Sequence, residues 1–323
     1  MSVQCKICPR GCELSEGEAG NCRARKNVNG KVTLTTYGFP CAVHVDPVEK
    51  KPMFHFLPGS KSFSIATAGC NLHCRNCQNW EISQAKPEDV PAYELPPDKV
   101  VEKALEYKCR SIAYTYTDPV IFYEYAMDSS IKAREKGLKN ILVTAGYINQ
   151  KPLKEICKFT DGANIDLKAF SDKFYRDVCK ATLKPVLDAL VTSKECGVEV
   201  EVTNLVLPTL NDSESDFKSL VKWVKENMGA ETPLHFSRFY PNYLMKNLPP
   251  TPGETLLKAR EIAKSEGLKH VYIGNISSPD GENTFCPSCG KLLIKRTGYS
   301  IDTNEIKNGA CPQCFSKIYG VWQ

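Results

Sequence analysis

The chain has 323 residues, 42% hydrophobic and 24% charged, which suffices for a large core and fits one α/β barrel with small appendages better than two equal domains. Its formal net charge of +5 is dispersed among acids, which argues against nucleic-acid binding and for an ordinary solvated surface. No run approaches the roughly 18 apolar residues of a membrane span, the start MSVQCKICPR lacks a secretory leader, and a cytoplasmic protein is expected.

The sixteen cysteines would suggest disulfides in a small secreted protein, but most of them fall into three metal-like clusters, which points to a reducing compartment. The first cluster is CKICPRGCELSEGEAGNC, with Cys5, Cys8, Cys12 and Cys22 among glycine-rich turns. Four thiolates in this pattern suit either a structural zinc or a 4Fe-4S cluster, and the segment has too few apolar residues to fold without such a staple. A zinc ion would make it structural; a cluster would make it an electron relay. From Lys31 to Pro58 the chain reads as a strand and then a proline-punctuated arm, with His44, Asp46, Lys50, Lys51 and His55 as its polar residues. The arm is expected to lie across the barrel mouth.

The stretch SFSIATAGCNLHCRNCQNW, Ser62 to Trp80, carries the second cluster: a strand-like run ending in Cys70, Cys74 and Cys77. Three thiolates spaced C-x3-C-x2-C can converge on one centre, yet a 4Fe-4S cluster has four irons to ligate. One iron is then left open to bind the amino and carboxylate groups of S-adenosylmethionine. The competing reading is a zinc site with His73 as fourth ligand.

Beyond this loop, apolar runs alternate with amphipathic ones. SFSIATAG, SIAYTYT, ILVTAGY, ANIDLKAF, VEVEVTNLVLP, PLHFSRFYP and HVYIGN read as strands, and stretches such as DKVVEKALEYKC and ESDFKSLVKWVKENM as helices. Repeated β and α units build a parallel sheet that curls into a barrel or part of one, with functional groups at the C-terminal strand ends. Those ends carry Asp118 in YTDP, Thr144, Asp166 and Lys168 in DLK, Thr203 and Asn204, and His235. Alternation puts His235 and Ser237 on one face of their strand and Phe236 and Arg238 on the other, without saying which is internal. Asn211 and Asp212 are candidate caps for the following helix, and Tyr272 and Asn275 are candidates to close a pocket. The third cluster, CPSCG and CPQC, sets Cys286, Cys289, Cys311 and Cys314 as two knuckles around a hairpin-length insert, a four-thiolate signature for zinc or a single iron. Cys41, Cys109, Cys157, Cys179 and Cys196 remain and read as small buried hydrophobes.

The C-x3-C-x2-C loop after a first strand resembles the radical SAM superfamily. The flanking words DPVEKKPMFHFLPGS and CQNWEISQ resemble the AmmeMemoRadiSam-system radical SAM enzymes, relatives of the pyruvate formate-lyase activating enzymes. The resemblance implies an α/β fold, a partial (β/α)6 TIM-like barrel, with small Cys-rich metal-binding modules at both termini. It also implies that Asp118 grips the methionine ammonium, with Thr144 beside it in Thr-Ala-Gly, and that Asp166 and Lys168 hold S-adenosylmethionine. Asn76 stands where the superfamily often has an aromatic residue beside the adenine, and Val143 where the activating enzymes have an aspartate that binds a cation. Residues 1–60 are expected to form the N-terminal module and arm, 61–280 the barrel, and 281–323 a zinc-ribbon or rubredoxin-like module.

The function expected is reductive cleavage of S-adenosylmethionine at a 4Fe-4S cluster and hydrogen abstraction from a small-molecule substrate, with a low-potential donor such as flavodoxin or ferredoxin. Activation of a glycyl-radical partner protein is the alternative within the same chemistry. An alternative of another class is a metal-dependent module that binds nucleic acid or protein through Lys291, Lys295 and Arg296, between the C-terminal knuckles.

Overall fold

A computed structural model describes residues 1–323. The chain opens with two small hairpins, β1 (Val3–Gln4) with β2 (Glu13–Leu14) and β3 (Arg25–Val28) with β4 (Lys31–Leu34); Cys5, Cys8 and Cys12 lie in the loop of the first and Cys22 between the two. The chain then builds one eight-stranded sheet: β5 (Ala42–Pro47), β6 (Lys61–Ala66), β7 (Ser111–Tyr114), β8 (Lys139–Thr144), β9 (Gly162–Asp166), β10 (Glu199–Val206), β11 (Leu234–Arg238) and β12 (Val271–Gly274). Strands β6 to β12 are parallel and in sequence order. The connections carry α1 (Trp80–Ser83), α2 (Pro97–Glu106), α3 (Tyr123–Glu135), α4 (Gln150–Cys157), α5 (Asp172–Phe174), α6 (Lys184–Glu195), α7 (Glu214–Met228) and α8 (Gly253–Ser265). Six strand–helix units followed by a last strand make a partial (β/α)6 TIM-like barrel, and the HVYIGN run is that last strand.

The outward residues of the strands, such as Phe63, Ile65, Ile112, Tyr114 and Phe236, pack under the helices in one apolar core. Helix α7 shows how local chemistry sets an element. The Ser213 hydroxyl accepts from the Asp216 N–H and the Asp216 carboxylate accepts from the Ser213 N–H, a capping box worth about 0.5–2 kcal/mol. Phe217, Leu220, Val221, Val224 and Met228 then form its buried stripe. The cap is thus Ser213; Asn211 and Asp212 instead tie the preceding loop, accepting from Leu207 N and Thr209 N.

The arm departs from expectation in two ways. Residues 42–47 are strand β5, antiparallel along the open edge of β6. The chain therefore leaves β5 at the end of the barrel opposite the cysteine loop, and residues 48–57 enter the barrel from that end rather than crossing its mouth. Space exists because the inward residues there are small: Ser62, Ser64, Ser111, Ala113 and Gly162. Met53, Phe56 and Leu57 fill it with Ala113 and Ile141. A Cβ on Gly162 would stand 2.8 Å from the Phe56 ring, so glycine is what admits the plug. In a barrel whose interior is normally filled by branched side chains from the strands, a loop does that work here.

At the C-terminus, β13 (Thr284–Phe285), β14 (Leu292–Thr297) and β15 (Ser300–Asn304) form an antiparallel sheet. Leu293, Ile294 and Ile318 pack with Cys286 and Cys311 as a small separate core. The tail beyond it clasps the plug: Val321 N donates to His55 O and Leu57 N donates to Val321 O, both at 2.7 Å. Of the solitary cysteines, Cys109, Cys157 and Cys179 are buried as expected, Cys41 is half-buried, and Cys196 is exposed at the end of α6.

Candidate active site

The loop after β6 is held from several sides. His73 N and Arg75 N donate to Cys179 O and Val178 O, in a π-helical turn (Tyr175–Cys179) that follows α5. The His73 ring is spent on Gln84 through Nδ1 (2.6 Å) and Asn21 through Nε2 (2.8 Å). This histidine braces the loop and offers no free nitrogen to a metal, which removes the ground for the zinc reading. Donors already meet two of the thiols: Leu72 N lies 3.4 Å from Cys70 Sγ and Ser83 Oγ 3.2 Å from Cys77 Sγ. Hydrogen bonds to cluster sulfurs are one of the levers on reduction potential.

Cys70, Cys74 and Cys77 open onto a cavity of about 420 Å³ inside the barrel. The same cavity is lined by Asn76, Asp118, Thr144, Asp166, Lys168, Thr203 and His235, so the structure brings together the barrel residues singled out from the strand ends and the cysteine loop except Asn204 and His73. Asn204 turns outward and donates to the Leu167 and Lys168 carbonyls. Tyr272 and Asn275 also line the cavity. His235 and Ser237 are on the inward face, which sequence alternation left open.

Asp118 is tied more tightly than a free ligand group. Its carboxylate accepts from Thr144 Oγ1 (2.9 Å), Ala145 N (3.0 Å) and Val120 N (3.1 Å), clamping the ends of β7 and β8 together. Burial pushes its pKa up against these donors. A carboxylate has about four lone-pair sites, so one remains to face the cavity. Asp166 and Lys168 pair at 2.9 Å while both stay partly open to the cavity. Thr203 Oγ1 and Asn76 Oδ1 are buried with no partner. Three thiols at one end of a polar cavity and unsatisfied groups along its wall fit a cluster with a zwitterionic cofactor beside it, because buried polar atoms are ordinarily satisfied.

The floor comes from the arm, and composition gave no signal for it. Asp46 accepts from Lys51 Nζ at 2.6 Å, from Lys50 Nζ at 2.9 Å and from the Tyr116 hydroxyl. Lys51 also lies 4.4 Å from the Tyr116 ring centroid. Burial would raise the Asp46 pKa, but these three donors outweigh it and hold it well below the carboxylate range. Because the folded pKa lies below the unfolded one, near 3.9, the contribution of Asp46 is complete above the unfolded value and is lost progressively as pH falls from there through the lower folded value. Asp46→Asn should cost about 1–3 kcal/mol at pH 7 and flatten the acid limb of stability against pH. Denaturant titrations at pH 3 to 7 check this; parallel acid limbs for wild type and variant would refute it.

Deeper in the floor, Glu201 accepts from His55 N at 2.7 Å and holds His235 Nε2 at 2.6 Å, while Phe54 packs edge-on against His235. Glu199 beside it has neither oxygen partnered, and burial with the adjacent Glu201 charge pushes its pKa far up. Arg296 reaches the floor from β14, donating to Phe54 O, Glu282 O and Thr284 Oγ1. Lys291 pairs with Glu305 and Lys295 with Asp302. Of the basic residues between the C-terminal knuckles, Arg296 is thus buried within the fold, while Lys291 and Lys295 stay at the surface, each paired with an acid.

The C-terminal thiols themselves are compact. Cys286 and Cys314 sulfurs lie 3.5 Å apart, Cys289 and Cys311 3.7 Å, and all four lie within 4.8 Å of one another. A tetrahedral metal with bonds of about 2.3 Å to sulfur sets its ligand sulfurs about 3.8 Å apart, so this tetrad suits a single ion.

Comparison with known proteins follows the same lines. A sequence model of the radical SAM superfamily matches residues 64–224. An uncharacterised protein of Methanocaldococcus jannaschii is 48% identical over 318 residues, covering 98% of this chain and 95% of its own. The pyruvate formate-lyase-activating enzyme of Clostridium pasteurianum is 26% identical over 172 residues, 50% of this chain and 69% of that enzyme. Among solved structures, a radical SAM methyltransferase from Sphaerobacter thermophilus superposes with a TM-score of 0.53 at 15% identity, over 73% of this chain and 71% of that one, a likeness of fold. No helix is long and apolar enough to cross a membrane.

Proposed function

This chain belongs to the radical SAM superfamily of enzymes, and on that footing we propose that it cleaves S-adenosylmethionine reductively and abstracts hydrogen from a small polar substrate held in the barrel. The observation that carries the reading is the single cavity shared by Cys70, Cys74, Cys77 and the seven polar wall residues. Cys70, Cys74 and Cys77 would hold a 4Fe-4S cluster, which would supply the electron for reductive cleavage of S-adenosylmethionine bound beside it. The chain's own residues hold and orient. The free face of Asp118 meets an ammonium, Lys168 neutralises a carboxylate, and Asp166 and Thr203 offer acceptors and a hydroxyl to a ribose. The plug fills the far end of the barrel with apolar side chains, which hinders water and dioxygen from that side.

The small-molecule reading draws support from the floor. Lys50, Lys51, Tyr116 and His235 line the same cavity, which makes its floor polar as well as its wall. Activation of a partner protein by making a glycyl radical is the second reading, favoured by the likeness to the Clostridium activating enzyme. The reductant would be a flavodoxin or ferredoxin in either case.

The test is anaerobic. Iron and sulfide are restored, dithionite and S-adenosylmethionine added, and 5′-deoxyadenosine quantified by chromatography. Product is expected above the protein-free blank; its absence from protein shown to hold a reducible 4Fe-4S cluster would overturn the proposal.

A further inference from the structure

The N-terminal tetrad differs from the C-terminal one in geometry, and the difference bears on what each holds. Cys5, Cys8, Cys12 and Cys22 all line one common cavity, whose wall also includes Ile7, Val120 and Ile121, with Arg10, Arg25 and Asn71. No three of these sulfurs lie within the 4.8 Å that encloses the whole C-terminal set. The barrel triad is open in the same way, and a cube of four irons and four sulfides holds its cysteine sulfurs apart by its own width. Four thiols drawn around a single zinc would instead be near contact, as the C-terminal four are.

Arg25 gives an independent sign. It is 4% exposed, its terminal nitrogens are engaged by Glu124 and Ile121 O, and its Nε faces no acceptor. A buried unsatisfied donor on a cavity wall calls for an acceptor within the cavity. Inorganic sulfide and cysteinate are acceptors, and the nearby positive charge would favour the reduced state of a cluster with net negative charge.

The site also abuts the barrel loop. Gly69, directly before Cys70, has φ +97°, and a side chain there would collide with the Cys22 carbonyl. Asn71, 1% exposed, lies on the N-terminal cavity wall while its Oδ1 stands 4.0 Å from Cys70 Sγ. One buried side chain thus separates the two sets of thiols.

We propose that Cys5, Cys8, Cys12 and Cys22 bind a second 4Fe-4S cluster rather than zinc, and that it passes electrons through the Asn71 contact to the barrel site. One electron enters from a low-potential one-electron carrier protein of the flavodoxin or ferredoxin class, reduces this cluster from its 2+ to its 1+ state, and moves on to the barrel cluster, returning the first to 2+. No bond forms or breaks at the N-terminal site. The metal assignment stands by itself; the relay rests on the function proposed above.

The test begins with a variant carrying Cys70, Cys74 and Cys77 all as alanine, reconstituted anaerobically and assayed for iron, acid-labile sulfide and zinc. About four irons and four sulfides per chain should remain, besides the single zinc or iron of the C-terminal tetrad, and dithionite should give an electron paramagnetic resonance signal indifferent to S-adenosylmethionine. No iron and two zincs would overturn the assignment whatever the fate of the enzymatic proposal. The same assays on wild type, which needs no substitution to fold, should give about eight irons; four irons and two zincs would refute it equally. For the relay, Cys8→Ser with Cys12→Ser should lose cleavage driven by reduced flavodoxin while keeping cleavage driven by dithionite. Equal retention of both would refute the relay and leave the barrel chemistry intact.

Discussion

Cys74→Ala is expected to abolish 5′-deoxyadenosine formation, a loss larger than the roughly 10–100-fold that removal of an outer-sphere partner of a metal site costs. The reason is that nothing nearby can take over its place. The His73 nitrogens are both engaged, and turning either to a metal would break the brace to Gln84 or Asn21. The nearest spare thiol is Cys179, which is fully buried in the π-helical turn behind the loop. Its backbone carbonyl already fixes His73, so a move toward the cluster would cost that contact. Two variants therefore separate ligand from neighbour. Cys179→Ala should retain cleavage and lose only packing, whereas Cys74→Ala should lose cleavage with the fold intact by circular dichroism. Retained cleavage in Cys74→Ala that vanishes in the Cys74→Ala, Cys179→Ala pair would show that Cys179 substitutes as a ligand and that Cys74 is dispensable.

Much of the barrel was legible because its strands are apolar runs of the right length and its helices carry buried stripes at helical spacing. The wall residues were legible for a positional reason: in a parallel barrel polar side chains at C-terminal strand ends face the site. The plug was not legible, because its meaning depends on residues distant in sequence. Gly162, Ala113 and Ser111 look like unremarkable small strand residues until Phe56 and Met53 arrive between them. The run VEVEV in β10 misleads in the same way. Alternating glutamates ordinarily point to water, yet Glu199 and Glu201 are buried inside the barrel. The face of β11 could not be chosen from sequence because each face carries an aromatic ring; the plug decides it by bringing Phe54 against His235. Cys179 gave no cue beyond being a cysteine, since its closeness to the loop arises from a pairing across more than a hundred residues of chain.

Glu201→Ala is expected to be the most destabilising single change in the barrel interior, by about 3–5 kcal/mol, the range for removing one partner of a buried pair. Glu201 is 0% exposed and satisfies two groups from different parts of the chain, the His55 N–H of the plug and the His235 ring. Alanine leaves both without an acceptor in a dry place, at about 1–3 kcal/mol each, and adds a cavity beneath Phe54. The two routes to the estimate agree, and either is a large share of a stability of about 5–15 kcal/mol. Glu201→Gln separates the components. Its amide oxygen can still accept from His55 N while its NH2 faces His235, so it should keep the plug seated and lose about 1 kcal/mol. The exposed Glu102→Ala, at the Lys99 pair on α2, serves as the control and should leave the melting temperature unchanged. Thermal unfolding of the three variants decides the matter. If Glu201→Ala melts with the control, the plug is held by its apolar contacts alone and the Glu201 bridge contributes nothing to closing the barrel. If Glu201→Gln falls as far as Glu201→Ala, the His235 bond rather than the His55 bond carries the stability, and the floor is anchored from β11 instead of from the plug.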